Sequence, residues 1–137
     1  MKREVVNEPK ELNGYRVVQE GEDIMKALTN GETVMHWEAG DSMFPLIMHM
    51  EYCKIRPVKK EEVNIGDPVF CGMKYRDENG EIHDYYMVHR CTEIIVRDEQ
   101  RYFKIESTGD QFFGWTKDVY GIAEKTNIFQ DESVLWS

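Results

Sequence analysis

The chain has 137 residues, of which 41% are apolar and 12% aromatic, enough for one domain with one core and no metal or disulfide support. Its formal net charge of −9 argues against a nucleic-acid binder, which must neutralise phosphates with a basic surface, and the Lys59-Lys60 pair is followed at once by Glu61-Glu62. Cys53, Cys71 and Cys91 lack CxxC spacing and read as reduced thiols in a cytoplasmic protein, and no apolar run approaches the roughly 18 residues that span a bilayer.

Residues 1–14 are polar, lack the apolar core of a signal segment and end at Gly14, so they are expected as a loose arm before a single domain over 15–137. Ile24, Met25, Ala27 and Leu28 suit one face of a short helix over Glu22 to Leu28, which Asn30-Gly31 ends. Residues 32–38 (ETVMHWE) read as a strand. After Glu51 the chain turns β-rich: EYCKIRPV is a strand closed by proline, and VNIGD turns into PVFCGMKY. Asn79-Gly80 signals a hairpin, YYMVHRCTEIIV is a strand from Tyr85 to Val96, and RDEQ turns it into RYFKIEST. The turn-rich GDQFFGWTKD then leads to a last strand, VYGIAEKTNIF. The pattern predicts a mostly β fold, seven or eight strands in coiled, partly closed antiparallel sheets with one short N-terminal helix.

The residues with chemical potential come in pieces. GDSMFP, residues 40–45, is turn chemistry, yet it also holds Ser42 on a bend fixed by Pro45. A serine nucleophile needs a base within hydrogen-bond reach and donors for the oxyanion. Of the four histidines, His36 lies in a strand before the serine, His49 seven residues past it and His83 beside a hairpin. His89 sits inside the most β-like strand, where it is either a satisfied core histidine or a general base aimed at Ser42. Asp110 and Asp118 are either ordinary turn residues or carboxylates that orient an imidazole. Lys74 is a rival base, and Cys91, two residues from His89, shares its strand face. The Cys and His residues have no metal-site spacing.

The order of these pieces resembles the signal peptidase family: Ser42-Met43-Phe44-Pro45, then Gly66-Asp67-Pro68-Val69-Phe70, Val88-His89-Arg90, Gly109-Asp110, and a strand with Val119-Tyr120-Gly121. It is most similar to the endoplasmic-reticulum and archaeal type, whose base is histidine. The same fold serves the self-cleaving SOS-response repressors, which use Ser-Lys. The resemblance runs from Val34 to Lys125.

The resemblance implies Ser42 as nucleophile, His89 as base, Asp110 as the acidic residue of the Gly-Asp motif, Asp118 as a second carboxylate, and Gly66-Asp67 as a structural turn. Met43, Phe44 and Pro45 would contact substrate. Gly40 stands where many members carry a helping hydroxyl, and the family's membrane anchors are absent from the pattern. The expected activity is that of a soluble serine endopeptidase acting through an acyl-enzyme on an extended peptide or protein, with no cofactor or metal and with a homodimer as an allowed assembly. The alternative is a non-catalytic peptide- or protein-binding module on the same fold, with Phe44, Met48, Met50, Phe112, Phe113 and Trp115 forming a groove. Self-processing fits less well. Ala39-Gly40 resembles the repressors' cleaved bond but lies too close to Ser42 for the chain to fold back on it.

Overall fold

The computed structural model describes residues 3–5, 8–130 and 134–136. Its strands are β1 (Arg3–Val5), β2 (Glu11–Leu12), β3 (Tyr15–Val17), β4 (Val34–Trp37), β5 (Glu51–Pro57), β6 (Pro68–Arg76), β7 (Ile82–Arg97), β8 (Gln100–Glu106), β9 (Phe112–Thr116), β10 (Val119–Phe129) and β11 (Val134–Trp136). Among the described residues one α-helix, α1 (Gly21–Thr29), and a short 3-10 helix (Lys60–Glu62) interrupt them.

β2 to β10 form one sheet in the order β2-β3-β4-β5-β10-β6-β7-β8-β9, and β1 pairs with β11 in a separate ribbon. The mostly β reading therefore holds, with two corrections. The sheet is mixed, because β3 and β4 run parallel on either side of α1. It is also a single open sheet with β2 and β9 at its edges, not a set of partly closed antiparallel sheets. Glu11 and Leu12 pair with Arg16 and Tyr15, Arg3 to Val5 pair with Val134 to Trp136, and Glu8 Oε1 accepts a 2.7 Å bond from the Trp37 indole.

α1 forms where the apolar spacing placed it. Ile24, Ala27 and Leu28 are buried, Glu22 and Asp23 sit at the positive end of the helix dipole, and Gly31 follows with φ 83°. The buried face packs on Val34, Ile55, Phe70, Val88 and Ala123. Each fully buried Leu or Ile contributes roughly 1.5–3 kcal/mol. Gly121 permits this docking: a Cβ there would lie 2.6 Å from the Arg56 carbonyl oxygen and 3.0 Å from Leu28. The opposite side of the sheet carries a second core of Val63, Val69, Cys71, Cys91, Phe103 and Ile105. Side chains alternate along β7, so Val88, opposite Phe70, joins the helix-side core, and His89, opposite Val69, faces the second. Among the described residues no helix is long and apolar enough to cross a membrane.

Candidate active site

Ser42 lies in the turn segment between β4 and β5, and that segment is closed from both ends. The Glu38 carbonyl accepts from Met50 N at 3.0 Å, and Gly40 N donates to His49 Nδ1 at 2.7 Å. Inside, Phe44 N donates to the Asp41 carbonyl and Ile47 N to that of Met43, and the Phe44–Pro45 bond is cis. Glu51 anchors the exit. It is fully buried and accepts from Met48 N, from the backbone N–H groups of Thr126 and Asn127, and from Lys125 Nζ at 2.7 Å. Burial would raise its carboxyl, but these hydrogen bonds together with the lysine charge hold it below the usual carboxylate range. The loop thus has a rigid frame made by residues that sequence order alone does not connect.

The Gly109-Asp110 turn reaches this loop. Thr108 N and Thr108 Oγ1 both donate to the Ser42 carbonyl, at 3.0 and 2.9 Å. Ser107, buried beside it, shapes the turn by accepting Gly109 N and Gln111 N on its hydroxyl. Asp110 takes the left-handed conformation, φ 64°, and its carboxylate is exposed. Arg90 bonds both parts of the turn, donating from Nε to the Ser107 carbonyl at 3.1 Å and from Nη2 to Asp110 Oδ1 at 2.6 Å. The acidic residue of the motif is therefore held by Arg90, next to His89 in the chain, and fixes the turn that grips Ser42.

His89 is buried, with its ring centroid 4.2 Å from that of Phe113 on β9. Among the described residues neither buried ring nitrogen has a hydrogen-bond partner, so the Ser42 hydroxyl does not bond the ring in this structure. This is an uncommon state, because a buried polar atom left unpaired costs about 1–3 kcal/mol. Burial lowers the ring's pKa below the ordinary histidine value, and the negative charge of Glu38 opposes the shift. Desolvation outweighs that charge.

A small cavity adjoins the serine. It has a volume of ≈ 30 Å³ and is lined by Ser42, Met43, Gly40, His36, Glu38 and Val88 among others. His36 is in it but is already committed. Its Nδ1 lies 3.0 Å from the Val18 carbonyl oxygen and its Nε2 3.0 Å from Glu38 Oε1. Each nitrogen of this ring thus already faces an acceptor of its own. Met43 is buried on the cavity wall, whereas Phe44 and Pro45 are exposed and meet solvent.

The other candidates lie elsewhere or are disarmed. Asp118 lines a separate cleft with Gly72, Lys74, Asp84, Tyr86 and Tyr120, so the structure does not bring it to Ser42. Lys74 Nζ bonds Asp84 Oδ1 at 2.7 Å, and that bond raises its pKa, opposite to what a neutral lysine base requires. Cys91 is buried and its thiol is pushed up to about 11 by that burial, which leaves it unreactive. Gly66-Asp67 is structural. Gly66 N donates to the Cys91 carbonyl at 2.7 Å and Cys91 N donates to that of Asp67 at 2.9 Å, which fixes β7 two residues past His89. Asp77, Glu81 and His83 place ligand atoms within 4.8 Å of one another. They lie at the β6–β7 hairpin, roughly 20 Å along β7 from His89, and Asp77 is already occupied by Asn79 N, Glu81 N and His83.

Sequence reasoning missed Thr108, Ser107, Arg90, Glu38 and Glu51. The Ser-Thr pair before Gly109-Asp110 was a signal for the turn, since hydroxyls commonly cap such bends. No protein-family model, curated protein or solved structure matches the chain.

Proposed function

We propose that the chain is a serine peptidase in which Ser42 is the nucleophile and His89 the general base. The observation that carries this reading is the buried imidazole of His89 with both nitrogens unpartnered, on the strand whose next residue, Arg90, holds the turn that grips Ser42. A structural histidine in a core normally finds a partner, as His36 does. A base kept neutral and unpaired is ready to accept a proton once serine and ring meet, and catalytic hydrogen bonds are often long or poorly aligned before substrate arrives. In the reaction Ser42 Oγ attacks the peptide carbonyl carbon while its proton passes to His89, which then protonates the leaving amine. Water next hydrolyses the acyl-enzyme. Thr108 fixes the Ser42 carbonyl, and with it the peptide unit beside the nucleophile.

Phe44 (52% exposed), Leu46 (37%) and Phe112 (55%) offer apolar contacts. They support a substrate bound in extended form, and they equally serve the second reading, a peptide-binding module without catalysis. Digestion of a mixed peptide library, read by mass spectrometry, separates the two. Cleavage by the wild type that disappears in both Ser42→Ala and His89→Ala supports the peptidase. Cleavage unchanged in either variant refutes the proposed pair, and retention of peptides without cleavage favours the module.

A further inference from the structure

We propose that the cleft formed by Gly72, Asp118 and the rings of Tyr86 and Tyr120 is a binding site for a primary alkylammonium group, as a lysine side chain or a small amine presents it. The inference stands apart from the peptidase reading, because the cleft shares no lining residue with the cavity beside Ser42. Its volume of ≈ 100 Å³ is several times the minimum for one water, about 10–15 Å³. It lies on the sheet face that carries α1, where Tyr86 and Tyr120 border the helix-side core.

Glycine makes the floor. Gly72 pairs with Tyr86 across β6 and β7, and a Cβ on it would lie 3.3 Å from Tyr120, 3.5 Å from Tyr86 and 3.6 Å from Asp118. Any larger residue would therefore fill the space between these three side chains. The same glycine sets Asp118 in place. Gly72 N donates to the Asp118 carbonyl at 2.8 Å, the Gly72 carbonyl accepts from Thr116 Oγ1 at 2.6 Å, and Asp118 N donates to that hydroxyl at 3.0 Å. Buried Phe70 holds both rings: it stacks on Tyr86 with centroids 5.7 Å apart and lies 6.4 Å from Tyr120. The two tyrosine rings stand 6.3 Å from each other, inclined at 54°.

The charge is that of a cation site. Asp118 and Asp84 bring two carboxylates against the ammonium of Lys74. Lys74 Nζ bonds Asp84 Oδ1 at 2.7 Å and feels Asp118 only as a more distant charge. Among the described residues neither the Asp118 carboxylate nor the hydroxyls of Tyr86 and Tyr120 have a hydrogen-bond partner. Burial raises the pKa of Tyr120, and the charges of Asp118 and Asp84 push it further against that of Lys74, the mark of a negative local field. An alkylammonium is a compact charge with three donors. It places an N–H on Asp118, has the tyrosine hydroxyls as further acceptors, and lays its methylene stem against rings whose faces attract cations. A carboxylate or phosphate would be repelled by Asp118, and a neutral alcohol would gain neither charge interaction.

The test uses the whole chain, isotope-labelled for amide NMR and titrated near neutral pH with n-butylamine, Nα-acetyl-lysine methylamide and n-butanol. Both amines should shift the amide signals of Gly72, Tyr86 and Asp118, more weakly as salt is added, and n-butanol should bind roughly tenfold less tightly than butylamine. Either order of the two amines supports the site: tighter binding of the lysine derivative identifies a peptide side chain as the source, and tighter binding of butylamine a small amine. Asp118→Asn should lower the affinity roughly tenfold. Gly72→Ala, whose methyl occupies the floor, should abolish binding, and the isosteric Asp118→Asn guards against a folding defect in it. Lys74→Met removes the competing cation and should tighten binding. Affinity in Asp118→Asn equal to wild type overturns the proposal, as does n-butanol binding as tightly as butylamine. Amine shifts that are absent, or that map away from the cleft, overturn it as well. Weaker binding in Lys74→Met would show that the ligand relies on a positive charge, and overturns it too.

Discussion

At the scale of single residues, two histidines show how burial and partners assign different work to one side chain. His36 and His89 are both buried, but His36 bonds through both nitrogens and His89 through neither. That difference was not legible in the sequence, where each is a polar residue in an apolar strand. It depends on Val18 and Glu38 for one ring and on Phe113 for the other, contacts that only the folded chain creates. The Ser42 and Gly109-Asp110 motifs were legible as turns. The expected partner of Asp110 was not, because Arg90 reaches it from the adjacent strand. The unpaired ring gives a prediction with a sign. His89→Leu removes two orphaned buried nitrogens at similar volume and should stabilise the fold by about 1 kcal/mol while abolishing activity. Urea unfolding of the two proteins near neutral pH measures it. A loss of stability would mean that the ring is a satisfied structural group.

Among the elements, the strong periodic signals gave the right segments. α1, β5, β6, β7, β8 and β10 lie where apolar pattern and turn residues put them. β9 was hidden, since Phe112 to Thr116 sits among Gly, Asp and Lys and becomes a strand only by pairing with β8. β1 and β2 were hidden for the same reason: two or three residues carry no period of their own. The β7–β8 hairpin shows a local conflict. Asp98 and Glu99 both have positive φ, 50° and 65°, as a two-residue type I′ turn requires, yet neither is glycine. Holding an ordinary residue there costs roughly 1–2 kcal/mol. The double change Asp98→Asn, Glu99→Gly should therefore raise stability by about 1 kcal/mol, visible as a higher denaturation midpoint with an unchanged denaturant slope. A lower midpoint would show that the native pair makes compensating contacts.

Across the whole molecule, one open nine-stranded sheet carries cores on both faces, and the Ser42 loop is clasped between the β4–β5 side and the β8–β9 turn. Acid should weaken this assembly in two stages. The folded pKa of His89 is depressed, so between it and the unfolded value of about 6.5 the unfolded chain binds more protons. The stability present above that pH is lost as pH falls toward the folded value. Glu51 follows at lower pH. Its folded pKa is also depressed, so its contribution is present above the unfolded carboxylate range and is lost as pH falls through the folded value. Unfolding free energies measured across this range should show the upper stage vanish in His89→Leu and the lower one shrink in Glu51→Gln. An upper stage that persists without His89 would assign it to another group.

Activation of Ser42 by a neutral, buried His89, as proposed, is tested by the rate at which a fluorophosphonate labels Ser42 as a function of pH. Protonated His89 cannot accept the serine proton, and burial holds its pKa low. Labelling mapped to Ser42 should therefore rise with pH along a limb centred below the ordinary histidine value of about 6.5. It should be lost in His89→Ala and keep both rate and limb in Lys74→Ala. Labelling that survives in His89→Ala but is lost in Lys74→Ala, or that maps to a residue other than Ser42, would contradict the claim.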